Sequence, residues 1–197
     1  DHSFAFASHL LSIRKVRPNK DISFESFLNY LGTSYVPYPE TIFKDICKLE
    51  PGHFLKVKKN GQIINKKYWD IKEFGTLDLP SIEDYRDNIM GLLKDSISIQ
   101  KRSDVAVGTF LSGGLDSSCI VALLSEQLGK PVRTFSAGFE GGLNELPYAR
   151  MVADKFGTDH TELVIKGSDL SSVLPEIIGL MDEPLSDNSI VPTYMLS

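Results

Sequence analysis

The stretch Phe110-Leu111-Ser112-Gly113-Gly114-Leu115-Asp116-Ser117-Ser118-Cys119 breaks an apolar run on Ser-Gly-Gly and closes it with an aspartate and two serines. Before it, Val105 to Leu111 is rich in strand formers; after it, Cys119 to Leu128 reads as a helix. The motif therefore belongs on a strand-to-helix turn. Around it the pattern alternates: strand 105–111, helix 117–128, strand 132–136, a helix around 147–156 ended by Gly157, strand 161–165, and a further helix over about 169–181. Strands alternating with helices of this length imply right-handed crossovers and a parallel sheet with helices on both faces. Ligands of such sheets bind beyond the carboxyl ends of the strands, where this turn would lie.

Working toward the N-terminus, Ser81 and Asp84 form a capping-box-like start to a helix on which Ile82, Tyr85, Ile89, Leu92, Leu93 and Ile99 share a face. Gly75 to Pro80 carries Gly and Pro without periodicity and reads as a linker. Before it, two strand-like runs flank Asn60-Gly61, the pair favoured where both residues of a hairpin turn need positive φ. Ser23 precedes a helical pattern with Phe24, Phe27, Leu28 and Leu31 on one face, which Gly32 is expected to stop. Tyr35 to Glu40 holds two prolines and is loop, and Phe4 to Ala7 is a short apolar run. The first 75 residues thus carry strand and loop signals more than helical ones.

At 197 residues, with 42% hydrophobic and 24% charged, the chain can bury one large core or two small ones. A formal net charge of −5 with no basic cluster beyond pairs such as Lys58-Lys59 argues against nucleic acid as a partner. Cys47 and Cys119 lie far apart, and His2, His9, His53 and His160 are scattered, so neither a disulfide framework nor a zinc site is suggested. The histidines, His160 included, are expected at the surface or in turns, and Cys119 in packed core. No apolar run reaches the roughly 18 residues of a membrane span and no signal-peptide pattern opens the chain, so no membrane partner and a cytoplasmic location are expected. The chain begins at Asp1 and ends at Ser197 within a helical pattern, so it reads as an interior slice of a longer protein.

A loop at the carboxyl end of a parallel strand that opens a helix offers unpaired N–H groups and the positive end of the helix dipole, which together suit an anion. Gly113 and Gly114 let the backbone approach an oxyanion, while Ser112, Ser117 and Ser118 add hydroxyl donors. Asp116 would repel phosphate on its own. It becomes sensible with Mg²⁺ between carboxylate and phosphates. The loop fits neither GxxxxGK[ST] nor GxGxxG, which sets aside the kinase-type cradle and the dinucleotide fingerprint. The bland alternative is a tight connection with serine caps.

Ser112-Gly-Gly-Leu-Asp-Ser-Ser118 resembles the pyrophosphate-binding loop of AMP-forming ATP pyrophosphatase domains, an adenine nucleotide alpha hydrolase-like fold, and its context resembles the glutamine-hydrolysing asparagine synthetase family. Thr134 to Glu140, Asn144 to Arg150, Gly157 to His160, and Asp182 to Asp187 followed by Pro192 to Ser197 resemble successive segments of that ligase domain. Upstream, Phe6 to Ser8, Tyr38 to Phe43, Lys48 to His53 and Tyr68-Trp69 resemble the closing part of its N-terminal glutaminase, a β-rich class II amidotransferase.

The resemblance implies a glutaminase segment over 1–75 and the first part of an ATP pyrophosphatase domain over 76–197. It implies an ATP- and Mg²⁺-using ligase that makes asparagine from aspartate through β-aspartyl-AMP, with ammonia from glutamine, releasing AMP and pyrophosphate. Ser112, Gly113, Gly114, Ser117 and Ser118 would serve pyrophosphate, Asp116 the metal, and Phe110 or Leu111 together with Ala137 the adenosine, with Leu115 and Gly138 also in the cofactor site. Glu183 and Asp187 would assist ammonia deprotonation or hold Mg²⁺ and substrate, against the alternative of a solvated loop with capping acids. Other readings are a related amidoligase acting on a different carboxylic acid, or a nucleotide-binding protein without turnover. Oligomeric state is not read from the sequence; a homodimer is one assembly compatible with it. Two departures stand out: the chain does not open on the family's nucleophilic cysteine, a role Cys47 cannot take, and His9 stands where the family usually has glutamate.

Overall fold

In a computed structural model, residues 4–18, 21–71, 81–142 and 144–197 are described. They divide into two compact units: the first takes 1–76 and then 178–188, the second 77–177 and 189–197. The linker expected over 75–80 and His2 lie outside the described residues.

Within the first unit, α1 (Leu10–Val16) was not foreseen, and Phe4 to Ala7 forms no strand; Phe6 is exposed. Helix α2 (Phe24–Thr33) begins as its sequence predicts, with the Ser26 N–H donating to Ser23 Oγ at 3.2 Å. It runs past Gly32 and ends at Ser34, whose N–H still donates to the Tyr30 carbonyl at 2.8 Å while its left-handed φ of 69° turns the chain out of the helix. Strands β1 (His53–Val57) and β2 (Ile63–Lys67) pair antiparallel, with Val57 opposite Ile63. Only Gly61 of the Asn-Gly pair has positive φ (82°). Its N–H donates to the Lys58 carbonyl at 2.9 Å while the Lys58 N–H reaches Gln62, so the turn is a longer, bulged one.

The second unit opens with α3 (Ile82–Gln100), whose capping box is formed: the Asp84 N–H donates to Ser81 Oγ and the Ser81 N–H to Asp84 Oδ2, each at 3.1 Å. Strand β3 (Gly108–Phe110) is shorter than expected, because Val105 is exposed and its N–H turns to Ser103 Oγ. Then follow α4 (Leu115–Leu128), β4 (Arg133–Phe139), α5 (Leu146–Phe156), β5 (Asp159–Ile165), α6 (Gly167–Leu180) and α7 (Ile190–Leu196). The three strands form a parallel sheet in the order β3-β4-β5, flanked by helices, with Phe110 beside Phe135 and Thr134 beside His160. Sequential order with crossovers of one hand sets α4 and α5 side by side. They do pack together, and both start at the carboxyl edge of the sheet.

Leu111, Val121, Ala149 and Ala153 form the core between β3, α4 and α5, with Val152 and Phe156 against it. Helix α3 docks on α4 along one flank, where Gln127 Nε2 donates to the Lys94 carbonyl at 2.9 Å and Lys94 pairs with Glu126 at 3.1 Å. Of the face shared by Ile82, Tyr85, Ile89, Leu92, Leu93 and Ile99, Leu93 is half-buried and the others are exposed, since the docking flank lies around Leu93 and Ile97. His160 also departs from expectation. Its side chain is 1% exposed on β5, with Nδ1 2.8 Å from Thr134 Oγ1, which in turn lies 2.8 Å from Thr158 Oγ1. Burial, and next the Arg150 charge, hold the His160 imidazole below its usual pKa. Cys47 is exposed and Cys119 half-buried, both as free thiols. Among the described residues no helix is long and apolar enough to cross a membrane.

Candidate functional site

The turn between β3 and α4 is built by its own small side chains. The Gly114 N–H donates to Ser112 Oγ at 3.2 Å, the Ser112 N–H to Ser117 Oγ at 3.3 Å, and the two hydroxyl oxygens lie 3.0 Å apart. Ser117 Oγ also donates to the Gly114 carbonyl at 3.2 Å. Gly113 sits at φ 79°, and a Cβ on it would lie 2.5 Å from the Tyr148 carbonyl carbon and 2.6 Å from the Ala149 nitrogen. Glycine is required there twice, by the left-handed conformation and by the first turn of α5 lying against it.

Gly114 is the N-cap of α4 and has no side chain with which to cap it. The first-turn amides of α4 are thus left for a ligand or solvent. The start of α5 lies alongside, and Ser112, Gly113, Gly114, Asn144, Glu145 and Tyr148 line an open cleft of about 310 Å³. Two helix N-termini and the Ser112 hydroxyl at one cleft suit a polyanion. Asp116, in the first turn of α4, is exposed and has no hydrogen-bond or ion-pair partner among the described residues. Mg²⁺ takes one or two protein carboxylates beside phosphate oxygens and waters, so a single unpaired carboxylate at this turn fits it. No group of three His, Cys, Asp or Glu side chains gathers as a metal cage among the described residues.

The other expected contacts are placed unequally. Phe110 is half exposed and accessible, and Leu115 is exposed. Leu111 is 1% exposed in the core; its N–H donates to the Phe135 carbonyl at 2.8 Å and its carbonyl accepts from Ser136 Oγ. Its side chain is therefore spent on packing beneath the turn. The Ser118 hydroxyl is buried with no partner among the described residues and lies outside the cleft lining. Ala137 is half-buried on β4, and a Cβ on Gly138 would come within 2.9 Å of Asn144 Oδ1 and Leu146, so the start of α5 closes over it. Asn144, Glu145 and Tyr148 were not read as site residues. The signal was present in Pro147 at the start of a helix that follows the neighbouring strand.

Glu183 and Asp187 belong to the first unit. Glu183 Oε1 accepts the Ile42 N–H at 2.6 Å and Oε2 pairs with the Lys48 ammonium; Asp187 is exposed. The neighbouring Asp182 accepts the Leu11 N–H at 3.0 Å and meets His9 Nδ1 at 3.3 Å. Burial raises the Asp182 pKa, but the Leu11 and Leu10 amides and His9 outweigh it and hold the carboxyl below its usual value. A glutamate in place of His9 would set like charges beside Asp182.

A family model described as Asparagine synthase matches residues 88–197, and one described as Glutamine amidotransferase domain matches 1–69. A Methanocaldococcus jannaschii protein provisionally named glutamine-hydrolyzing asparagine synthetase 2 is 34% identical over 100% of this chain and 39% of its own length. The glutamine-hydrolyzing asparagine synthetase 1 of Bacillus subtilis is 33% identical over 98% of this chain and 30% of its own. The chain thus spans well under half the length of these relatives. Among solved structures, an NH3-dependent NAD synthetase from Campylobacter jejuni overlaps 56% of this chain and 49% of its own at 17% identity and a TM-score of 0.38, a likeness that bears no weight. With the Asparagine synthase match extending over more than half of its residues, and the Ser-Gly-Gly turn inside that match, the chain belongs to the asparagine synthase family.

Proposed function

We propose that the chain serves a glutamine-hydrolysing asparagine synthetase, with the turn at Ser112 to Ser117 as its pyrophosphate cradle. The observation that carries this reading is Gly113: its left-handed backbone lies against Tyr148 and Ala149, so that the starts of α4 and α5 open on one cleft. A terminal pyrophosphate, with its clustered charge, is the guest that two converging helix starts favour most.

In the proposed reaction an oxygen of the aspartate side-chain carboxylate forms a bond to the α-phosphorus of ATP. The bond from that phosphorus to the bridging oxygen breaks, and pyrophosphate departs. Ammonia, released from glutamine, then forms a C–N bond with the acyl carbon of β-aspartyl-AMP, and AMP leaves. The uncapped amides of α4 and the Ser112 and Ser117 hydroxyls would stabilise the charge that builds on the departing group. Asp116 would hold Mg²⁺, which neutralises phosphate charge when bound. Phe110 and Ala137 are the residues available to adenosine.

The test is release of pyrophosphate from MgATP and ammonium with aspartate, and with other acids, in wild type and Asp116→Ala. Aspartate-dependent release that the substitution lowers by at least about tenfold, or roughly 1.4 kcal/mol, supports the proposal. Release with a different acid alone would move the substrate, and nucleotide binding without release would remove the ligase assignment.

A further inference from the structure

The chain leaves the second unit after Ile177, runs through 178–188 in the first, and re-enters the second at Ser189. This strap is tied down at short intervals. Asp182 takes the Leu11 amide and meets His9, and Glu183 takes the Ile42 amide and pairs with Lys48. Ser186 donates its N–H to the Ser34 carbonyl at 2.9 Å and meets Tyr30 Oη at 2.8 Å. Of these anchors Glu183 is the most enclosed, its side chain 14% exposed, and its partner is itself held: Lys48 Nζ donates to the Val36 carbonyl at 2.6 Å. A cation fixed by a backbone carbonyl is a defined electrostatic point, unlike a free surface lysine, and the Ile42 amide supplies the second direction.

We propose that Lys48 is a positioning residue: from the first unit it fixes the Glu183 carboxylate, and with the Asp182 anchor at the start of α1 it holds the 178–188 strap in one conformation. Resting on the ligase reading, and on the acid and ammonia role that the family resemblance implies for Glu183, the consequence is that Lys48 governs the ammonium-dependent reaction through Glu183. Lys48 touches no reacting atom. It acts through Glu183.

Hydrogen exchange of the 197-residue chain tests the clip without reference to activity. Lys48→Met is expected to speed exchange of the Ile42 amide and of peptides covering 181–187 by at least about tenfold, Lys48→Arg to restore most of the protection, and Lys66→Met on the hairpin to leave both unchanged. If Lys48→Met does not fold, Glu183→Gln, which keeps an acceptor for Ile42 but drops the ion pair, gives the same reading with a smaller increase. Unchanged exchange in the strap overturns the clip. In the chain that turns over, Lys48→Met should lower ammonium-dependent kcat by about tenfold with MgATP affinity within twofold, and Lys48→Arg should recover it. A parallel loss of MgATP affinity, or no loss of kcat, overturns the positioning role. A wild-type enzyme that releases no pyrophosphate defeats the ligase reading, and the exchange result still decides the clip.

Discussion

The Cβ that Gly113 lacks would stand 2.5 Å from the carbonyl carbon of Tyr148, so the loop after β3 and the first turn of α5 are in backbone contact. Through that contact the Ser-Gly-Gly turn of one crossover is shaped by the helix of the next. Gly113→Ala must displace α5 or the turn, whereas Gly129→Ala, at φ 62° with nothing within 4 Å, meets only backbone strain. The expected losses in urea denaturation are about 1–2 kcal/mol for Gly129→Ala and roughly 1–3 kcal/mol beyond that for Gly113→Ala. Equal losses would mean that the Tyr148 contact is relieved without cost.

Asp116 should make nucleotide affinity depend on the metal. In calorimetric titrations Asp116→Asn is expected to weaken MgATP binding by at least about tenfold, or roughly 1.4 kcal/mol. Metal-free ATP should bind the variant no worse than wild type, and better if the carboxylate repels phosphate. A variant that loses both equally would place Asp116 in the fold of the turn and not at the metal.

His160 gives the second unit an acid-sensitive point. Its folded pKa lies below the ordinary value of about 6.5, so the unfolded chain binds the proton more readily. The stability associated with the neutral imidazole is full above about pH 6.5 and is lost as pH falls from there through the lowered folded value. His160→Gln should flatten that part of the stability curve followed by near-ultraviolet circular dichroism. An unchanged slope as pH falls below the ordinary imidazole value of about 6.5 would rule out His160 as the source.

The alternation of strand and helix from Gly108 onward, the parallel sheet and the turn were legible because each rests on local signals: β-branched runs, Gly157 at a helix end, and Gly-Gly at a strand end. What failed depended on neighbours. The stripe of Ile82, Ile89 and Leu92 has helical period, but period cannot say which flank meets α4. Gly32 looks like a helix stop, yet the chain finds its left-handed residue two positions later in Ser34. His160 is polar and so reads as surface, while its register beside Thr134 buries it. At the site, Ser112, Gly113 and Gly114 were readable from one motif, but Asn144, Glu145 and Tyr148 join them only through the side-by-side packing of α4 and α5. The ties of Asp182 and Glu183 to residues more than 130 positions earlier carry no local signal at all.

Calorimetric titration of the chain with magnesium pyrophosphate and, separately, with AMP tests most directly whether the Ser112 to Ser117 turn cradles pyrophosphate. Wild type should bind magnesium pyrophosphate, Gly113→Ala should weaken this by at least about tenfold, or roughly 1.4 kcal/mol, and AMP binding should change far less. Pyrophosphate that fails to bind the folded wild-type chain, or binds Gly113→Ala as tightly, would contradict that role.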